Sequence, residues 1–258
     1  MTDHDLAAAS RAAAYPIQRL GATWMLHPEQ FQASLDAGYE HPFAGYLAGR
    51  GGLLGDADAA VVDAVLGIFG PGVTDTFWAM GVPVHGTRGG AELYFRQAAE
   101  WARPRLAGVD GLDRFIALGE RVIDAAPRTG LPLFAAQSRL PRVDDEPGRA
   151  MQVAILLREL RFGLHSTAMT AAGMPMLEAH LLNQGEDYAA MLGFPGPYPP
   201  AEPYKDRKAE VEEATDSRDA EIWALALTPG EAAELAELAT RLYDRVRDQD
   251  PINANGPS

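Results

Sequence analysis

Residues 149–185, RAMQVAILLRELRFGLHSTAMTAAGMPMLEAHLLNQG, set Arg158, Glu159, Arg161, His165, Glu178 and His180 among apolar neighbours. Charge removed from water is costly unless it is paired, so this stretch is where a polar centre is expected. Arg158, Arg161 and His165 fall at i, i+3 and i+7, on one helical face about two turns long. In that arrangement Arg158 and Arg161 could anchor an anionic or carbonyl-bearing ligand, and His165 could act as general acid and base. Glu178, one turn into the following helix, or Glu159 would orient the imidazole. The competing reading is a structural network in which the arginines are neutralised by Glu159 or Glu178. His180, two residues beyond Glu178, points elsewhere.

Three further residues join the candidates. Arg50 lies in GRGGLLGD (49–56), which lacks the Gly-Lys-Ser/Thr ending and preceding strand of a phosphate loop and reads as a tight interhelical turn. Arg50 itself could still point inward. Phe162 and Phe69 are candidate pocket-lining aromatics. The six histidines (4, 27, 41, 85, 165 and 180) show no HExxH, Glu-x-x-His or paired spacing, and there is no cysteine, so neither a metal nor another cofactor is expected. No nucleophile-elbow motif is present.

The elements that would position these residues read as helices throughout. Residues 59–69 and 91–106 carry apolar positions at helical spacing, as does the last helix, with its Leu235, Leu238 and Leu242 stripe, and Asp110 or Asp113 would cap a further helix over 112–126, closed by Pro127 and Gly130. Asp144-Asp145-Glu146-Pro147 opens the long central helix, and Thr228-Pro229-Gly230-Glu231 is a capping box. Residues 81–90, with four glycines, His85 and Arg88, are expected to form a loop. No sustained period-two alternation appears. The fold class is all-α, a multi-helix bundle-like domain with a C-terminal helical extension. Its expected organisation is a helical core over 1–192, a proline-rich linker or crossing loop over 193–208, and C-terminal helices with a frayed tail over 209–258.

A net charge of −14 opposes non-specific attraction to nucleic acid. No apolar run approaches the roughly 20 residues that span a bilayer, and the acidic N-terminus has no signal-peptide pattern. The expected compartment is the cytoplasm.

Several segments, in order, resemble a family of actinobacterial all-helical proteins labelled helix-turn-helix. They are GYLAGRGGLLG (45–55), GLPLFAAQSRLP (130–141), LLRELRFGLHSTAM (156–169), AAGMPMLEA (171–179) and VEEATDSRDAEIW (211–223). The relatives' central motif, roughly Leu-Arg-Glu-His-Arg-Gly-Asp-Gly-His, keeps its Arg158, Glu159, Arg161 and His165 here. Leu160, Phe162, Gly163 and Leu164 replace the other members, and an early Glu-Pro-x-His becomes Tyr15-Pro16-Ile17-Gln18. A winged-helix-like segment of the relatives gives way to the proline-rich 193–204.

The resemblance, with the apolar replacements, implies a pocket for a small molecule, mostly apolar with a carbonyl or anionic group. Secondary metabolism is the expected setting, with the protein either a cofactor-independent acid/base enzyme (cyclisation, isomerisation or elimination) or a metabolite-binding and resistance protein. A ligand-responsive transcriptional regulator is the remaining alternative. A second copy, as a homodimer, is the other expected partner.

Overall fold

The computed structural model describes residues 3–251. Eleven α-helices follow one another, without strands among the described residues. They are α1 (Asp3–Met25), α2 (Pro28–Asp36), α3 (Pro42–Gly51), α4 (Ala59–Leu66), α5 (Val73–Leu106) and α6 (Leu112–Ala125). After these come α7 (Pro132–Gln137), α8 (Glu146–Ala172), α9 (Met176–Met191), α10 (Lys205–Ala226) and α11 (Pro229–Asp244). None is long and apolar enough to cross a membrane.

The starts of these helices follow local chemistry. Asp145 Oδ1 accepts from the Gly148 N–H at 2.9 Å and Pro147 stands in the first turn, which opens α8. The Thr228–Glu231 capping box is formed in both directions. His27 and His41 cap α2 and α3, each Nδ1 accepting a backbone N–H two residues on, so both rings are occupied in helix initiation.

α8 is the axis of the molecule. Residues 148–157, Glu159 and Leu160 are all buried, because α1, α5, α6 and α10 pack around it. A helix apolar nearly all round must be central. The C-terminal helices share this core. Ile222, Trp223, Leu235, Leu238 and Leu242 pack in one cluster with Leu20 and Trp24 of α1 and Ile155 and Leu157 of α8. Residues 209–244 therefore contribute to the same core as the bundle. The far end of the expected frayed tail, 252–258, lies outside the described residues, as does the His4 side chain.

The expected loop at 81–90 is instead the middle of α5, kinked at Gly86 (φ 70°, ψ 172°). The glycines serve packing as well as bending. A Cβ at Gly81 would stand 2.3 Å from the Ala44 carbonyl oxygen of α3, so only glycine permits this approach of the two backbones.

A second apolar cluster joins Leu47, Val62, Leu66, Phe69, Trp78, Leu133 and Leu192 in the N-terminal half. α9 is fastened to it at both ends. His180 Nε2 hydrogen-bonds the Ile68 carbonyl at 3.0 Å, and the Gly70 N–H donates to the Leu192 carbonyl at 2.9 Å.

Candidate functional site

Arg50 and Glu159 form the buried centre. The last turn of α3 points Arg50 (1% exposed) at Glu159 (0%) of α8. Arg50 Nε and Nη2 donate to the two carboxylate oxygens at 3.0 and 2.9 Å, while Arg50 Nη1 donates to the Tyr46 hydroxyl at 2.6 Å. Tyr46 lies four residues before Arg50, on the same helical face. The guanidinium also stands 4.3 Å from the Phe162 ring centroid, a cation–π contact in a dry setting. Gln137 of α7 fixes the end of α3 by donating to the Arg50 carbonyl at 3.0 Å. Burial works against the Arg50 charge, yet the Glu159 carboxylate outweighs it and holds the guanidinium above its ordinary pKa.

Glu159 also accepts from Arg158 Nη1 at 2.8 Å. One carboxylate thus serves two guanidiniums, and the trio carries a net charge of about +1. Arg158 crosses Gly21 of α1 and reaches the wall of a cavity of about 280 Å³. α1 contributes Gln18, Arg19, Ala22 and Met25 to that wall, α2 Gln30 and Phe31, and α3 Phe43 and Tyr46. Phe69, Tyr94 of α5, and Gln184, Tyr188 and Met191 of α9 complete most of it. Burial pushes the Tyr94 and Tyr188 hydroxyls above their ordinary pKa, so both stay protonated and can donate hydrogen bonds at neutral pH. Arg19 is engaged by Asp250, its Nε donating to Oδ2 at 2.7 Å.

His165 and Arg161 lie elsewhere. Arg161 Nη2 pairs with Asp216 of α10 at 2.6 Å, with Asp219 at 3.8 Å from Nη1, and His165 Nδ1 meets Thr215 Oγ1 at 3.3 Å. Arg161, His165 and Asp216 border an outer groove with Arg11, Tyr15 and Asn183, and Gln18 of α1 is common to that groove and the cavity. Desolvation lowers the His165 pKa, so the ring is neutral at pH 7. Glu178 makes no ion pair or hydrogen bond with His165 or Arg161 among the described residues. The expected grouping of His165, Glu178 and Arg161 around one centre is not formed.

The structure brings together Arg50, Arg158, Glu159 and Phe162, with Phe69 across the cavity. Sequence reasoning passed over Tyr46, Tyr94, Tyr188 and Gln184. Only the Tyr46–Arg50 spacing offered a signal. A wider and more open groove of about 420 Å³ is lined by Val65, Leu131, Phe134, Glu159, Phe162 and Thr167.

The chain belongs to the Helix-turn-helix family, whose model matches residues 8–197. Comparison with curated proteins and with solved structures returns no match. Every cavity-lining residue falls within the matched stretch, whereas α10, with the partners of Arg161 and His165, falls beyond it.

Proposed function

We propose that this protein binds a small, mostly apolar molecule in the cavity between α1, α2, α3 and α9. The observation that carries the reading is the lining itself. Aromatic, methionine and aliphatic side chains together make up most of it, with a smaller set of polar groups that includes Arg158, Gln18, Gln30, Gln184 and the Tyr94 hydroxyl, the usual make-up of a ligand site. The volume is at the low end of ligand pockets, which run from about 300 to 1,000 Å³, and suits a compact molecule. No Asp, Glu or His is among the described residues that line it, and Glu159 has its oxygens committed to two guanidiniums. Binding without acid–base turnover is the function these groups support.

Nile red, a neutral apolar fluorophore, tests this when titrated into the wild-type protein and an Ala22→Phe variant that fills the cavity. Binding to wild type with loss in the variant is expected. Equal binding by both would refute the assignment.

The Helix-turn-helix family description supports a second reading, a ligand-responsive regulator of transcription. It requires salt-dependent retardation of a promoter duplex in a gel-shift assay. The net charge of −14 works against it.

A further inference from the structure

We infer that the cavity's ligand is a monocarboxylate, clamped by the free edge of Arg158. This rests on the cavity being the ligand site and adds the chemical class of what enters it.

A guanidinium has a side-on edge, Nε with Nη2, that matches a carboxylate with two parallel hydrogen bonds. Arg50 uses that edge to hold Glu159. Arg158 spends only Nη1 on Glu159, and its Nε is buried without a hydrogen-bond partner. The same side-on edge is therefore unpaired on a residue of the cavity wall, and since Nε is covered, a ligand oxygen reaches it once the guanidinium swings slightly toward the cavity. A buried donor left unmade costs stability in the ligand-free protein, and this one is held in place. A Cβ at Gly21 would stand 2.7 Å from Arg158 Cδ and 3.5 Å from Nε, so α1 supplies a glycine floor against which the Arg158 stem and Nε pack.

Charge sets the ligand's valence. Arg50, Arg158 and Glu159 leave one positive charge, and Arg19, the other cation of the wall, is engaged by Asp250. One carboxylate cancels that charge, whereas a phosphate dianion would leave a buried negative surplus. The Tyr94 hydroxyl is likewise buried without a partner in the same wall, and supplies a further donor for the incoming oxygen after a small shift.

The test is calorimetric titration of naphthoate, naphthamide and naphthyl phosphate, which share one apolar body. The wild-type protein should bind naphthoate roughly tenfold or more tightly than either of the others, the strength of a charge-assisted bond. Arg158→Gln should bring the naphthoate-to-naphthamide ratio close to one. Gly21→Ala, which displaces Arg158 but keeps its charge, should cut the ratio severalfold and guards against misfolding of the first variant. Equal binding of acid and amide by the wild-type protein, or a ratio preserved in Arg158→Gln, would overturn the clamp while leaving the cavity reading intact. Binding of none of the three would overturn both.

Discussion

Glu159→Gln removes the carboxylate from between two guanidiniums while keeping the side chain's shape. Arg50 is 1% exposed and Glu159 fully buried, so water cannot replace the lost charge. Breaking a buried pair by deleting one partner costs about 3–5 kcal/mol. The low end of the range fits if the Gln carbonyl still accepts from Arg50. A chain of this length loses roughly 2 °C of Tm per kcal/mol, which gives a drop on the order of 6–10 °C. Urea unfolding followed by circular dichroism measures it, and an unchanged slope against urea shows that the folded state is otherwise intact. Replacing the pair by apolar groups, Arg50→Met with Glu159→Leu, should be more stable than Glu159→Leu alone by about 2 kcal/mol, since the orphaned guanidinium goes with its partner. A loss below about 1 kcal/mol in Glu159→Gln would refute the reasoning, because the trio would then not be held in a desolvated site.

Three other perturbations have definite outcomes. Burial raises the Asp219 pKa to about 6, against the pull of Arg161 and of Ser10, whose hydroxyl donates to it at 2.9 Å. A carboxyl raised above its unfolded value favours the folded state below about pH 4, and that contribution fades as pH rises through 6. Asp219→Asn should therefore gain on the wild-type protein between about pH 5 and pH 8, by on the order of 2 kcal/mol; a pH-independent difference in urea midpoints would contradict this. His165→Ala should leave Nile red and naphthoate affinities unchanged within about twofold, since the ring faces α10; a larger loss in titration would put the imidazole in the ligand site after all. Gly70→Ala would drive a Cβ to 2.2 Å from the Gly193 carbonyl oxygen. It should loosen the C-terminal end of α9, seen as faster amide exchange over residues 186–192 and weaker Nile red binding, and unchanged exchange would argue against this seat.

The fold class, the caps of α8 and α11 and the inner stripe of α11 were readable from the sequence because they depend on neighbours within one helix. The continuity of α5 was not. Gly81 and Gly90 have the composition of a loop, and only the approach of α3 explains why glycine stands there. The candidate site divides in the same way. Adjacent charges on an apolar helix marked Arg158 and Glu159, and a glycine-rich segment drew attention to Arg50. Helical spacing placed Arg158, Arg161 and His165 on one face, but α1 packs on that face. Arg158 extends over Gly21 to the cavity, while Arg161 reaches the acids of α10. Long side chains choose between such partners by tertiary context, which spacing alone does not contain. Tyr94 and Tyr188 come from helices far away in sequence, and nothing local distinguishes them from core aromatics.

The central claim is that the ligand sits between α1, α3 and α9, against Arg158. Photolabelling with an aryl carboxylate carrying a diazirine, followed by peptide mapping, locates the occupied site directly. Adducts are expected on Met25, Phe43, Phe69 and Tyr188, all abolished by Ala22→Phe. Adducts concentrated on Leu131, Phe134 and Thr167, in the open groove that Phe162 also lines, would contradict the claim.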